Sequence, residues 1–373
     1  MTFDDFKQMV EDNIKDYLPE EYADAKVSIN EVIKNNDTHL TGVTIRDEGT
    51  SIAPTLYLEQ YYEDVNSGNK TMDQALTMMA AVYDDANKNG LDMDTKELVN
   101  NLTDYDQTKD KIIPRVVNRE SNEERLKTIP HTDMGDLTVT YHVDLGNASD
   151  GQMSVQVSNE MMNKYDVSVE DLHEQACANM KEISPATFKT MAETLAEIMI
   201  PGFEDMSAEE REEAIGNFDM PDPGMYVLSN DSKSFGAAAV LDPEVMDKIR
   251  NDVGDFYILP SSVHEVLIVP KREDLKLEDL EAMVQEVNAT QVAPNEVLSD
   301  HVFEYDPETK EIYRADQRDE HEKEKEELKA EKNETEKRPS VKAKLEEKKA
   351  EAKNINKENK DKDIKRDLDK GRE

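Results

Sequence analysis

Beyond position 316 the chain stops supplying the side chains a core needs, and that break fixes where folding must happen. Over residues 316–373 Lys and Glu dominate, and the large apolar groups are confined to Leu328, Val341, Leu345, Ile355, Ile364 and Leu368. So little apolar surface cannot offset the conformational entropy lost on ordering a backbone, so this stretch is expected to be disordered or transiently helical. Glu/Lys pairs four apart would add at most ~0.3 kcal/mol each to a helix before Pro339. No apolar heptad is sustained, so a coiled coil is not expected. The fold has to be built by residues 1–315.

Charge obeys the same division. The tail carries 19 basic and 19 acidic residues, so the whole net charge of −40 sits on residues 1–315, where 26 Lys and Arg face 66 Asp and Glu. Such a body repels phosphate backbones and anionic bilayers, which argues against direct binding of nucleic acid or membrane through it. Basic proteins and cations match it better. The first residues, MTFDDFKQMVEDN, are acidic where a secretory signal is basic, and no apolar run reaches the ~20 residues of a membrane span. A single cysteine, Cys177, cannot form an intrachain disulfide, and a reducing cytoplasm is the expected compartment.

Periodicity then sets the order of elements. Phe3, Phe6, Met9, Val10 and Ile14 recur at helical spacing behind Thr2, a natural N-cap. Residues 27–32 and 39–46 read as strands joined by a KNND turn. Stretches 54–65, 71–86 and 95–102 read as helices. Residues 111–118 form a strand that Pro114 restricts to an edge or bulge. Over 137–143, Leu137, Val139, Tyr141 and Val143 alternate with Thr138, Thr140 and His142, the pattern of a half-buried strand with a polar outer face. Ser168 and Asp171 form a capping box that opens a helix to about Lys181, and 185–198 and 208–215 read as further helices. From Met225 the pattern runs strand, helix (Asp242 cap, Pro243 first), strand, strand, helix, and a last hairpin over 302–313. These elements predict an α+β fold of mixed helices and mainly antiparallel sheet. Residues 1–128 and 129–315 are expected to pack as one body, with 316–373 as the charged tail.

The densest chemistry lies in DFYILPSSVHEVLIVP, residues 255–270, where Ser261, Ser262, His264 and Glu265 stand between two apolar β-type runs. A hydroxyl, an imidazole and a carboxylate are the parts of a nucleophilic hydrolase. Neighbours on a strand point to opposite faces, and no G-x-S-x-G elbow surrounds either serine, so a plain turn with locally bonded serines competes with catalysis. A real site would need these groups to converge in a cleft, with Asn230, His142 or Asp144 as candidate contributors.

Other motifs fall short. His173 and Cys177 share a helical face at zinc-ligand spacing, but a third ligand is missing and Val169, Leu172, Ala176 and Met180 mark that helix's core face. Asp85 to Gly90 match the start of a calcium loop, which then fails at Asp92 and Lys96. Gly146 and Gly151 have Walker-A separation without the Lys-Ser/Thr that follows it, and His131 and His142 have no partnered spacing. The methionines read as filler of an irregular core. Neither a metal nor a cofactor is expected.

Several phrases carry a resemblance as a set: PTLYLEQYY (54–62), IIPRVVN (112–118), DLTVTYHVDLG (136–146), VSVEDLHEQACANM (167–180), MYVLSN (225–230), FYILPSSVHEVLIVP (256–270) and LSDHVFEYD (298–306). Over residues 1–315 the chain resembles an uncharacterised family, a domain of unknown function, of intracellular proteins from Gram-positive, largely gut-dwelling bacteria, often encoded near integrative and conjugative elements. A second uncharacterised bacterial family is distantly similar. The resemblance implies a shared fold and a mobile-element setting, and no catalytic residues. The residues favour a non-catalytic acidic binding or accessory protein engaging a basic partner. The alternative is a hydrolase built on Ser261, Ser262, His264 and Glu265.

Overall fold

Thr2 opens the first helix, Phe3–Asn13, with a full capping box: its hydroxyl accepts the Asp5 N–H while the Asp5 carboxylate accepts the Thr2 N–H. The buried face, Phe6 and Val10, packs with Ile14, Val43, Ile45, Leu58, Met79 and Tyr83. The computed structural model describes residues 1–46, 53–89, 95–148, 151–216 and 224–337. The first sheet is antiparallel in the order β1 (Lys26–Ile33), β2 (His39–Arg46), β3 (Thr55–Tyr57). Here the stretch expected as one helix from 54 divides. Thr55–Tyr57 pairs with β2, and the helix is Glu59–Asn66. Pro54 disfavours helix before it, and the free edge of β2 supplies backbone partners that outweigh local propensity. The helix Met72–Asn89 covers this sheet, its Tyr83 hydroxyl donating to the Ile45 carbonyl.

The second sheet is organised by its longest strand. β4 (Ile112–Asn118) runs along one side of β6 (Leu137–Ala148), while β5 (His131–Met134) and β7 (Gly151–Gln156) share the other. β4 is therefore an edge strand, where the missing N–H of Pro114 is tolerated. Ile112, Val139, Tyr141 and Val143 pack with Leu172 and Ala176 of the helix Val169–Ile183, which Ser168 caps as expected.

The opposite face corrects the expectation of a half-buried strand. Thr138 and Thr140 are 0% exposed, His142 4% and Arg115 8%. This polar face is an interior layer, viable because its groups bond one another. Arg115 Nη2 donates to Ser154 at 2.8 Å, and its guanidinium stacks 3.5 Å from the Phe235 ring centroid. Thr140 Oγ1 lies 3.2 Å from His142 Nε2, and Arg125 Nε reaches Gln156 at 3.3 Å. Burial, reinforced by neighbouring Arg125, pushes the Arg115 guanidinium down to about 10. Burial likewise holds His142 well below its ordinary value, with Arg115 and Arg125 adding to the effect.

The third sheet has the order β13-β12-β10-β11-β9-β8, each pair antiparallel: β8 Ala186–Thr190, β9 Tyr226–Asn230, β10 Phe256–Leu259, β11 Val266–Pro270, β12 Phe303–Asp306, β13 Glu311–Arg314. β8 also departs from expectation, since 185–198 read as helix. Its first part pairs with β9, and Thr190 then caps a shorter helix, Met191–Met199. Helices cover both faces of this sheet. Met246 and Ile249 of Pro243–Val253 pack on Ile258, Val266, Ile268 and Phe303, while Leu280 and Val284 of Leu277–Thr290 pack on Leu259, Val269 and Val302. Asp242 caps the first of these by accepting the Glu244 N–H.

Met1–Asp316 forms one compact unit, and of the chain beyond it the described part is the helix Arg318–Lys337. The architecture is α+β. No described helix is long and apolar enough to cross a membrane.

Candidate functional site

β10 and β11 pair from Phe256↔Pro270 to Leu259↔Leu267, so their connection crosses the end of the third sheet. The hinge is no free turn. Ser262 bridges to Val297, the Val263 N–H donates to the Glu296 carbonyl at 2.9 Å, and the Ser261 carbonyl accepts the Leu298 N–H at 3.2 Å. Residues 294–299 are in turn held by the other sheets' loops: Asn36 Nδ2 donates to the carbonyls of Pro294 and Val297, both at 2.8 Å, and Asn118 Nδ2 to that of Leu298 at 2.9 Å. One short segment thus stitches the β1–β2 loop and the end of β4 to the hinge.

The facing wall is the loop after β9. Asn230, buried, organises it: Nδ2 donates to Ser184 Oγ at 2.6 Å and the Ser234 carbonyl at 2.8 Å, while Oδ1 accepts the Ser234 N–H at 3.1 Å. Lys233 and Phe235 both hold φ at 54°, a left-handed conformation that bulky residues adopt only when their surroundings enforce it. Phe235 shows what enforces it. Its ring stacks on Arg115, and its N–H donates to His264 Nδ1 at 3.3 Å. Next to it Gly236 allows a close approach, since an added Cβ would lie 2.3 Å from Ser229 Oγ and 2.7 Å from the His264 carbonyl oxygen.

Between these walls opens a cleft of about 330 Å³, lined by Ser262, His264 and Glu265 from the hinge, Lys233 from the facing loop, and Gln291, Val292 and Glu296 from the segment after Leu277–Thr290. Three of the four residues singled out in the sequence converge here. Ser261 does not line the cleft, and neither do Asn230, His142 or Asp144. His142 belongs to the polar layer with Thr140, and Asp144 opposes Ser154 in the β6–β7 register.

The geometry also assigns the imidazole. A ring nitrogen that accepts an N–H carries no proton, so the ring proton sits on His264 Nε2, which faces Glu296 Oε1 at 3.5 Å. Ser262 Oγ accepts the His264 backbone N–H at 3.0 Å and bonds to the Glu265 carboxylate. Both ring nitrogens are therefore directed at Phe235 and Glu296 instead of at a serine hydroxyl. Burial pushes the Glu265 carboxyl up, with His264 and Ser262 pulling it back. Lys233 Nζ is drawn to Glu197 at 3.0 Å. Among the described residues neither Glu265 nor Glu296 pairs with a lysine or arginine. The cleft thus presents two carboxylates, Glu265 and Glu296, beside the His264 imidazole.

Sequence reading missed Lys233, Gln291 and Glu296. The polar loop NDSKSFG advertised an irregular connection, but nothing local marked Glu296 as a neighbour of His264. The other motifs resolve as structure. His173 and Cys177 do meet, Nε2 to Sγ at 3.6 Å, while His173 Nδ1 lies 3.1 Å from the Tyr141 hydroxyl. Burial pushes the Cys177 thiol up to about 11. Of the calcium-like stretch, Asp85 to Lys88 belong to the helix Met72–Asn89, where Asn87 Nδ2 donates to the Tyr22 hydroxyl; residues 90–94 lie outside the described residues.

The model of a family of unknown function (DUF5688) matches the chain over residues 3–307. Neither a curated protein nor a solved structure matches the chain.

Proposed function

The chain belongs to that family of unknown function, and we propose that its acidic body is a non-catalytic binding module that takes a cationic side chain of a basic protein partner into the cleft beside His264. The observation that carries this reading is the pair Glu265 and Glu296, exposed to one open cleft and paired with no lysine or arginine among the described residues. A lysine ammonium offers three donors and would find charge-assisted acceptors on both, each such bond contributing about 1.5–3 kcal/mol. The net charge of −40 supplies the long-range part, since an acidic surface speeds encounter with a basic one. A cytoplasmic partner and an accessory role in a mobile element accompany this reading. The hydrolase alternative would need His264 to abandon the Phe235 N–H and turn towards a serine, so it is not adopted.

The test is a titration of the full chain with lysine-rich and acidic control peptides at about 50 and 300 mM salt, where screening should separate steering from shape. We expect binding of the basic peptide alone, weakened tenfold or more by salt, and a further tenfold loss in the double variant Glu265→Gln, Glu296→Gln. Undiminished binding by that variant overturns the assignment of the site.

A further inference from the structure

A second group of ligating side chains forms at the same strand end of the third sheet as the hinge but on its β12–β13 side, where three separated segments meet. The β12–β13 register, Phe303↔Arg314, sets His301 and Asp316 side by side just outside the paired residues, and the Ala315 N–H donates to the Val302 carbonyl at 2.8 Å to close that end. Leu280 and Val284 pack on Val302 and Ala315, which lays the adjacent Glu281 over the same spot. As a result one ligand atom from each of Glu281, His301 and Asp316 lies within 4.8 Å of the other two. The positions are fixed from outside: the His301 backbone N–H donates to Ser299 Oγ at 3.1 Å, and Arg314 holds Asp316 through Nε at 3.0 Å and Nη2 at 2.6 Å.

We propose that Glu281, His301 and Asp316 are the protein ligands of a divalent metal ion of the zinc class. An imidazole with two carboxylates suits a borderline ion such as Zn²⁺ better than Mg²⁺ or Ca²⁺, which take oxygen alone. Tetrahedral ligands at about 2.0–2.2 Å from zinc stand roughly 3.3–3.6 Å apart, so atoms that lie within 4.8 Å of one another would have to draw in only a short way to close around an ion. Arg314 does not preclude this. Its two bonds use one lone pair on each Asp316 oxygen and leave the others free, so it serves as the outer partner that orients the ligand. Charge agrees as well. Arg314 senses Asp136, Glu281 and Asp316, three carboxylates against one guanidinium, and Asp136 Oδ1 is buried without a partner. Bound there, a divalent ion would tie the β12–β13 hairpin to the helix Leu277–Thr290.

The site shares no residue with the cleft, so its test is independent. Full-length protein freed of tags and stripped with chelator is titrated with ZnCl₂ by calorimetry, with MgCl₂ as control. We expect one Zn²⁺ per chain, a selective shift of the His301 imidazole resonances, and at least tenfold weaker binding in both His301→Gln and Glu281→Gln. Each variant is first checked by circular dichroism, and a variant that fails to fold leaves the other to decide. No zinc uptake by the parent chain, or uptake unchanged in the folded variants, or equal competition by Mg²⁺, overturns the proposal.

Discussion

Gly236→Ala separates two opposed effects whose balance the structure decides. Gly236 opens the 3-10 turn Gly236–Leu241, and φ there is not positive, so on backbone grounds alanine should stabilise by about 0.4–1 kcal/mol. The space says otherwise. The new Cβ would stand 2.3 Å from Ser229 Oγ, 2.5 Å from the Asn230 nitrogen and 2.7 Å from the His264 carbonyl oxygen, and two of those three neighbours are backbone. Relief requires moving β9 away from the hinge, which breaks the 2.8 Å bond from Ser229 Oγ to the His264 carbonyl. Overpacking of this kind costs about 1–3 kcal/mol and the bond about 1 kcal/mol, which leaves a net loss of roughly 1–3.5 kcal/mol after the backbone gain is set against them. For a body of this size, at about 1.5 °C per kcal/mol, that is a fall in Tm of about 2–5 °C, read by circular dichroism. Basic-peptide affinity should fall with it, because His264 moves. Gly216→Ala is the control: nothing lies within 4 Å of its added Cβ, and it should be neutral or slightly stabilising. A Gly236→Ala protein that melts within about 1 °C of the parent would refute the close-approach argument.

Two further outcomes follow from the buried groups. His142 is held neutral well below its ordinary 6.5, so above pH 6.5 both folded and unfolded chains leave it uncharged. As pH falls below 6.5 the unfolded chain takes up a proton the folded chain refuses, and stability drops by up to about 1.4 kcal/mol per pH unit. Urea unfolding between pH 7.5 and 5.5 should show a shallower loss in His142→Asn, which keeps a partner for Thr140; an identical slope would contradict the burial of His142. Cys177, raised from 9.0 to about 11, should carry roughly 100-fold less thiolate at neutral pH than a free thiol. Alkylation followed by mass spectrometry should therefore be slow in the native protein and fast in urea, and rapid native labelling would count against its burial.

What was legible in the sequence was whatever local chemistry fixes by itself. Thr2, Ser168 and Asp242 announced their helices because a capping side chain acts within three residues. The runs flanking the hinge announced paired strands because their apolar content and length leave few alternatives. The misreadings were all decided at long range. Thr55–Tyr57 and Ala186–Thr190 became strands because β2 and β9 offered open edges, and the Thr138, Thr140, His142 face turned inward because Arg115 and Phe235 lie over it. Polar residues at alternate positions look alike whether water or an arginine covers them. The cleft was half legible for the same reason: Ser262, His264 and Glu265 are consecutive enough to notice, whereas Glu296 reaches them only in the folded chain, where its carbonyl accepts the Val263 N–H and its carboxylate faces His264.

Those backbone bonds also govern when the cleft can exist. Residues 294–299 hold the hinge and are themselves held by Asn36 and Asn118, so the cleft wall cannot swing out by itself without releasing ties to the rest of the unit. Amide protons along this segment, the Val263 and Leu298 N–H groups among them, should exchange with solvent only through openings close to global unfolding. During synthesis the hinge and the facing loop emerge first and can join each other through Phe235 and His264, but Gln291, Val292 and Glu296 complete the cleft only when this late segment follows. On the proposed role of the cleft, a chain ending before residue 294 should be unable to capture a basic peptide, because it lacks Glu296 and the segment that holds the hinge.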